Sequence, residues 1–404
     1  MRKARKIFDR SGRLLFVVLI LAFTFVFAMF QGGKVSWTIF YSIVPFAIYS
    51  ILLFFYPLSG LAVKRSIQTP NVQKDGKLIV SISVKRKNRF PLLYTVMTEK
   101  WAEREVAVLA GGNLKQLFVF GFRKEVEWTY EIENMPRGEH ILQGITIEVS
   151  DFFGWFRKTK FIEAKDTILV FPKMIDLHYI ALDKEFDQGT MASLLNIVKD
   201  TTMATGVRGY QAGDRVTWIH WKSFARTQTL MTKEFEDRRS QELFLILDGR
   251  ESALFEEQVE LTASIVKEAA RHQTGLTLMT TGPESSLFPF LNAEEQFHQA
   301  LVHLAKIKPV GADNIKLLAN FGNAFRNSGS IIVITSKPDW PFLQSVLRNA
   351  KNAASVICFT VVAQDDAALN IVENDIRLAK SKGIAVYSIR QEQFKDAFKE
   401  VARR

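Results

Sequence analysis

The chain contains one cysteine, Cys358, among its 404 residues. A single cysteine cannot form a disulfide within the chain, so the composition excludes the small disulfide-stapled folds of secreted proteins and favours a reducing compartment. Cys358 lies in the apolar run SVICFTVV. In such a strand-like run we expect a small core residue and not a nucleophile.

Signatures of several common enzyme classes are also absent. No GxGxxG opens a helix after a strand, and neither GxxxxGK[ST] nor GxSxG occurs. The six histidines include no HExxH spacing, and His298 and His303, five residues apart, would lie on different faces of a helix. These absences exclude the usual sequence forms of dinucleotide-binding, P-loop and α/β-hydrolase sites.

The excess of positive charge is confined to one end of the chain. The net charge is +11, yet residues 1–100 carry 16 basic and 3 acidic side chains, whereas residues 173–404 carry 28 of each sign. The basic segment is also the most hydrophobic part of the sequence. This combination indicates a membrane surface before it indicates nucleic acid.

Two uncharged runs predict a transmembrane hairpin within residues 1–60. Leu14 to Phe30 is seventeen residues long, about 26 Å as a helix, which is close to the hydrocarbon thickness of a bilayer. Trp37 to Tyr56 is also uncharged, and Pro45 would kink it without preventing insertion. The short QGGKVS segment between the runs allows only a tight turn. A signal peptide followed by a single anchor is the alternative.

The flanking charges predict the orientation of this hairpin. Six basic residues precede the first run, Lys64 and Arg65 follow the second, and the turn between them has only Lys34. The positive-inside rule then places both termini and the soluble domains in the cytoplasm. We therefore expect a multi-pass protein of the cell membrane, in contact with the lipid bilayer.

The hydrophobic period changes twice after the hairpin. Residues 61–172 contain six or seven short alternating runs divided by turn sequences, which predicts a small antiparallel β-sandwich. Residues 242–404 alternate apolar strand-like runs with longer amphipathic segments, which predicts an α/β domain with a doubly wound, Rossmann-like parallel sheet. Ligands of such sheets usually bind at the carboxyl ends of the strands.

The linker, residues 173–241, contains the polar and aromatic stretch GYQAGDRVTWIHWKSFART. Asp214 is a candidate N-cap for a helix from about Arg215 to Arg226, and TLMTKEFED after it alternates like a strand. Trp218 and Trp221 would share a helix face that needs cover. If the motif has a structural and not a catalytic role, we expect Trp221 and Tyr210 to be buried between domains.

The stretch resembles the signature RxYxxGDxxxxIHWKxxAR of the domain of unknown function 58 family. The matching residues are Arg208, Tyr210, Gly213, Asp214, Ile219, His220, Trp221, Lys222, Ala225 and Arg226. PRGEH and SDFFGW resemble the PRG and DPFG segments of the family, although Phe152 replaces a proline. The resemblance implies a bacterial membrane protein of a family often encoded beside MoxR-type AAA+ ATPases and transglutaminase-like membrane proteins. A MoxR-type ATPase or another membrane protein is therefore the candidate partner.

The family resemblance extends to a von Willebrand factor type A-like C-terminal domain. In such domains the first strand ends in DxSxS, whose oxygens bind a divalent cation; here the positions are Asp248, Arg250 and Ser252. Thr335, after a later strand, is a further weak ligand candidate. A guanidinium beside the site would repel Mg²⁺, so we expect no metal and a salt-bridged Asp248.

Several functions remain as alternatives. The first is a membrane-anchored binding or assembly factor without a cofactor. The second is an enzyme with His220 as general base, oriented by Asp214. The third is a cation-dependent adhesion-type domain. Nucleic-acid binding through the motif is disfavoured by the near-zero charge of this region. Under the structural interpretation, Arg208 and Arg226 bond Asp214 or strand-end carbonyls.

Overall fold

The computed structural model describes residues 2–69, 71–177, 204–211, 219–235, 242–272, 275–281, 286–311, 328–350, 355–363 and 369–402. The chain divides into two compact units, Met1–Phe171 and Pro172–Arg404. Each unit contains its own buried apolar cores.

The first unit begins with two long helices, α1 (Arg2–Gln31) and α2 (Lys34–Phe55). Each contains a segment long and apolar enough to cross a membrane, Gly12–Gln31 and Lys34–Phe55. Gly32 permits the tight reversal between them because its backbone is left-handed, with φ of +63°. Large apolar side chains of both helices are exposed, as at Phe30 (90%) and Phe55 (69%).

An antiparallel sandwich follows the helices, as its alternating pattern predicts. Its strands are β1 (Leu61–Ile67), β2 (Leu78–Arg86), β3 (Tyr94–Trp101), β4 (Lys115–Phe118), β5 (Glu125–Ile132), β6 (Gly138–Ser150) and β7 (Arg157–Val170). One sheet has the order β1-β2-β5 and the other β4-β3-β6-β7. Strand residues from both sheets form one core.

The sandwich contains one helix that the sequence pattern does not predict, α3 (Arg104–Ala110). It follows β3 directly, and Val106 and Ala110 are buried while Val108 is 70% exposed. Strand β4 covers only the first part of the alternating run QLFVFGF, residues 116–122, because pairing with β3 ends at Phe118.

The second unit opens with a small two-stranded sheet. Strands β8 (Ala204–Gly209) and β9 (Met231–Phe235) are antiparallel, and the short helix α4 (Trp221–Thr227) lies between them in sequence. Of the described motif residues, Arg208 lies in β8 and Trp221, Lys222, Ala225 and Arg226 lie in α4, whereas Tyr210, Ile219 and His220 lie outside these elements.

The rest of the second unit is a six-stranded sheet with the order β12-β11-β10-β13-β14-β15. The strands are β10 (Glu242–Leu247), β11 (Leu276–Thr280), β12 (Ser286–Leu291), β13 (Ser328–Thr335), β14 (Ser355–Val361) and β15 (Ile384–Ile389). All neighbours are parallel except β11 and β12. Counted from β10, the order is 3-2-1-4-5-6, that of doubly wound sheets.

Helices cover both faces of this sheet. They are α5 (Phe255–Arg271), α6 (Glu294–Lys306), α7 (Trp340–Asn349), α8 (Leu369–Ser381) and α9 (Ala397–Ala402). Leu245 belongs to the core under α5 and α6, whereas the next residue, Ile246, belongs to the core under α7. Adjacent strand residues thus serve opposite faces, as strand geometry requires.

The predicted doubly wound, Rossmann-like α/β fold is therefore confirmed, with one addition. The five apolar runs predicted as strands form the parallel part of the sheet, and β12 is an antiparallel edge strand that the pattern does not predict. Its sequence SLFPFL contains Pro289, which an edge strand tolerates because it has an unpaired side. One of the amphipathic segments of this domain, residues 314–325, lies outside the described residues.

Candidate functional site

The signature motif is folded onto strand β9. Arg208 pairs with Thr232 in the β8–β9 ladder, and Ile219 bridges the same Thr232. The backbone N–H of Tyr210 donates to the carbonyl of Leu230 at 2.9 Å. Ile219 and Thr232 are 7% and 1% exposed, so these two side chains form the buried centre of the small sheet.

The motif helix is shorter than the predicted Arg215–Arg226 helix. It begins at Trp221, and its N-cap is His220 and not Asp214. The backbone N–H of His220 donates to the carbonyl of Met231 at 2.8 Å, which ties the residue before the helix to β9. The Nδ1 of His220 accepts from the backbone N–H of Ser223 at 3.1 Å. The imidazole thus caps the helix, as an Asp or Ser does elsewhere.

The expected burial of the motif aromatics is wrong. Trp221 is 60% exposed and Tyr210 is 37% exposed. Trp221 contacts Phe224 edge to face, with the ring centroids 6.1 Å apart, and Phe224 is itself 37% exposed. Ala225 on the same helix is also exposed, and Trp218, predicted to share the face of Trp221, lies outside the described residues.

The remaining motif residues divide into exposed and undescribed positions. Lys222 and Arg226 are exposed on α4, and the Nη1 of Arg208 donates to the carbonyl of Gly209 at 3.1 Å. Gly213 and Asp214 lie outside the described residues, so the contacts predicted for Asp214 stay predictions. The Nδ1 of His220, the candidate general base, lies 2.7 Å from the hydroxyl of Ser223, three residues later in the sequence.

A second polar site lies at the carboxyl edge of the large sheet. From β10 the chain proceeds to β11 on one side and, later, to β13 on the other, so the sheet reverses its winding between β10 and β13. Asp248 follows β10 directly, and Thr335 ends β13. Open α/β sheets place ligand sites at such a switch point.

The Asp248 carboxylate is buried and fully engaged by its neighbours. The residue is 2% exposed. Its Oδ2 accepts from the Thr335 hydroxyl at 2.7 Å and from the Nη2 of Arg250 at 2.8 Å. Its Oδ1 accepts from the backbone N–H of Arg250 at 3.1 Å, and the Nε of Arg250 lies 3.0 Å from both oxygens.

The Arg250 guanidinium is held on its other sides as well. Its Nη2 donates to the carbonyl of Lys337 at 2.8 Å, and its Nη1 pairs with Asp339 at 2.7 Å. Its plane lies over the Phe342 ring, 4.6 Å from the centroid. Burial alone would lower the pKa of Arg250, but the bonds to Asp248 and Asp339 outweigh it and raise that pKa. The guanidinium is therefore a permanent positive charge at the strand end.

The three metal candidates are only partly brought together. Thr335 contacts Asp248, but the hydroxyl of Ser252 accepts from the Gln258 amide at 3.0 Å and from the backbone N–H of Leu254 at 3.2 Å. The position that a cation would take at Asp248 is filled by the guanidinium of Arg250. This donor set does not fit Mg²⁺, because the anionic oxygens already have a cationic partner.

The sequence of this chain is similar to those of known proteins. A family model, "Protein of unknown function DUF58", matches residues 206–404. The "Uncharacterized protein YeaD" of Bacillus subtilis (strain 168) is 32% identical over 365 residues, which cover 90% of this chain and 91% of that protein. The chain belongs to the DUF58 family.

Two solved structures show a weak similarity to this DUF58 protein. A von Willebrand factor type A protein from Catenulispora acidiphila is 13% identical with a TM-score of 0.29, and the match covers 42% of this chain and 43% of that chain. Cwp6 from Clostridium difficile is 8% identical with a TM-score of 0.19, over 82% of this chain and 55% of that one.

Two partners in the DUF58 strand-end site could not be found from sequence reasoning. Asp339 and Phe342 lie about ninety residues after Arg250, and nothing in the local pattern connects them to it. Asp339 also precedes α7 as its N-cap residue, which is a sufficient local reason for an Asp before Trp-Pro. Pairing with Arg250 becomes evident only when β10 and β13 lie side by side.

Proposed function

We propose that this DUF58 protein is a membrane-anchored protein-binding or assembly factor, and that α4 contacts its protein partner. The observation that supports the proposal most directly is the 60% exposure of Trp221 on a helix whose start is fixed by His220 and β9. Trp is among the residue types that dominate protein interfaces, because it brings a large apolar area at small cost in conformational entropy.

The surroundings of Trp221 also support a contact role. Phe224 and Leu230 are 37% and 43% exposed, and Lys222 and Arg226 are exposed on the same helix. An apolar centre with a charged rim is the usual composition of a non-obligate interface. A partner with an acidic rim around an apolar groove would complement it.

The location in the cell is part of the proposal. Two apolar helices at the N-terminus, with basic residues before the first and after the second, support two membrane spans with both termini and the soluble domains in the cytoplasm. Reporters fused after Arg404 test this orientation. We expect a reporter that works only in the cytoplasm to be active, and activity of a reporter that works only outside the cytoplasm would overturn the orientation.

The partner proposed is a MoxR-type AAA+ ATPase, which comes from the family resemblance. The test is crosslinking in native membranes, followed by affinity purification and mass spectrometry of wild type, Trp221→Ala and Leu378→Ala. Leu378 is a matched control because it is an exposed apolar residue (39%) on α8. We expect Trp221→Ala alone to lose the partner. Equal recovery by all three proteins contradicts the role of α4, and recovery of no protein contradicts the binding function.

A further inference from the structure

The turn between β6 and β7 has an unusual composition for a sandwich loop. Its sequence, Asp151–Phe156, is DFFGWF. Phe152 and Phe153 are 51% and 50% exposed, although each contacts a ring of α2. The ring of Phe46 lies 5.1 Å from Phe152 and 5.3 Å from Phe153, measured between centroids. Two exposed phenylalanines at a loop tip need an apolar environment that the soluble domain does not provide.

The tip is packed against both membrane helices. Phe156 (3% exposed) shares a small core with Val17 of α1 and Ala47 of α2, each at 0% exposure. Trp155 packs at the edge of this core and Phe153 stacks on it, with the centroids 4.6 Å apart. The tip is thus a third element beside the two helices.

A buried polar contact fixes the tip to α2. The hydroxyl of Ser50 donates to Oδ2 of Asp151 at 2.7 Å, and the backbone N–H of Phe156 donates to Oδ1 at 3.1 Å. Ser50 and Asp151 are 1% and 2% exposed. The backbone N–H of Asp151 donates in turn to the carbonyl of Phe156 at 3.2 Å. Polar groups at the base of the turn are therefore satisfied by hydrogen bonds within the turn.

The position of these contacts along α2 gives the depth of the tip. The helix ends at Phe55, and the ammonium group of Lys158 caps that end by donating to the carbonyls of Phe54 and Tyr56, each at 2.7 Å. At 1.5 Å per residue, Ser50 lies about 7.5 Å and Phe46 about 13.5 Å from the end. Phe152 and Phe153 therefore lie between one and three turns inside the apolar segment.

Basic residues surround the base of the tip. Arg157, Lys158 and Lys160 follow it in β7, and Lys160 donates to the carbonyl of Leu58 at 2.9 Å. This charge lies next to the end of α2, where anionic headgroups of the cytoplasmic leaflet would be. An apolar tip with a basic base is the composition of a segment that enters one leaflet.

We propose that Asp151–Phe156 inserts the rings of Phe152 and Phe153 among the acyl chains of the leaflet that faces the sandwich. The protein then contacts the bilayer through two helices and one monotopic loop. This inference rests on the proposed membrane anchoring, because the loop has this environment only if α1 and α2 span the bilayer. The substitution of Phe152 for the proline of the family motif adds one more ring to the inserted surface.

The test is nitroxide labelling of single-cysteine variants in the full-length protein. Cys358→Ala supplies the background, and Phe152→Cys and Phe153→Cys are labelled separately in vesicles of phosphatidylcholine and phosphatidylglycerol. Leu19→Cys on α1 (57% exposed) is the control for lipid, and Val108→Cys (70% exposed) is the control for water. Val108 is suitable because α3 follows Trp101, the end of β3 opposite to Tyr94, whose ring lies 5.8 Å from Phe152.

Collisions with oxygen and with a water-soluble nickel chelate, measured by electron paramagnetic resonance, separate the outcomes. We expect both tip labels to resemble Leu19, with a higher ratio of oxygen to nickel accessibility than the Val108 label, because oxygen dissolves in hydrocarbon and the chelate stays in water. Tip labels that resemble Val108 while Leu19 reports lipid overturn the insertion and leave the anchor intact. Tip labels protected from both reagents indicate a protein cover and also overturn it. A water-like Leu19 overturns the anchor itself.

Discussion

The guanidinium of Arg250 binds the carboxylate of Asp248, two residues earlier in the sequence, and its Nε lies 3.0 Å from both carboxylate oxygens. The pair lies at the point where the sheet reverses its winding, where related α/β folds bind ligands. A side chain of the protein therefore takes the place that a bound cation would take. The contacts of Asp248 and Arg250 therefore connect the end of β10 to the end of β13 and to the start of α7.

Removal of this guanidinium is expected to destabilise the second unit. Arg250→Ala leaves the carboxylate of Asp248 buried with one hydroxyl and one backbone N–H, and breaking a buried pair typically costs about 3–5 kcal/mol. Denaturant unfolding of the detergent-solubilised protein, monitored by circular dichroism, measures the change. The double variant Arg250→Ala with Asp248→Asn is the control, since it removes the stranded charge and is expected to recover part of the loss. A change below about 1 kcal/mol in the single variant would contradict the structural role.

Magnesium is expected to affect the protein only when Arg250 is replaced by a small polar residue. Arg250→Ser provides the DxSxS spacing and removes the competing charge. We expect its unfolding free energy to rise by about 1.4 kcal/mol when Mg²⁺ exceeds its dissociation constant tenfold. The unfolding free energy of wild type is expected to stay constant over the same titration. Equal stabilisation of both proteins by Mg²⁺ would show that Arg250 does not block the site.

Truncation of Trp221 is expected to leave stability almost unchanged. The side chain is 60% exposed, so Trp221→Ala creates no cavity and should change the unfolding free energy by less than about 1 kcal/mol. Leu343→Ala, at a fully buried position on α7, is the control and should cost about 2–5 kcal/mol. A loss of several kcal/mol in Trp221→Ala would mean that the residue is covered within the protein.

The thiol of Cys358 is expected to make the protein sensitive to alkaline pH. Burial raises its pKa to about 12. The unfolded thiol ionises near pH 8.5, so the folded state keeps a proton that the unfolded state loses, and the stabilisation present below pH 8.5 falls as the pH rises. Relative to Cys358→Ala, wild type should lose about 1.4 kcal/mol for each pH unit above about 9. A pH-independent difference between the two proteins would show that the thiol is accessible.

The architecture of the second unit was predictable because its buried strands are continuous apolar runs. The runs SIIVITS and SVICFTVV are typical of strands buried on both faces of a parallel sheet. The amphipathic segments between such runs predict the helices of crossover connections. The short strand β12 was not predictable in the same way, since Pro289 interrupts its pattern. Its pairing with β11 depends on a neighbour that the local sequence does not identify.

The candidate site was predictable in its residues and less so in its geometry. The pairing of Asp248 with Arg250 is local, and the expected salt bridge is present. The error at α4 arose because Asp214 is a good N-cap by type, whereas the start of the helix is set by the backbone bond from His220 to Met231, which lies on a strand eleven residues later. Contacts of Phe152 with α2 join residues about a hundred positions apart, and sequence periodicity contains no information on such pairs.

Only Tyr56–Gly60 separate the last turn of α2 from strand β1, and Lys158 and Lys160 tie this short connection to β7. A connection of this length cannot act as a flexible tether. Tilting of the sandwich would have to tilt α2 with it. In the proposed membrane-anchored arrangement, a mechanical load applied to the first unit would therefore pass directly into the lipid, and the anchor would set the orientation of that unit over the bilayer.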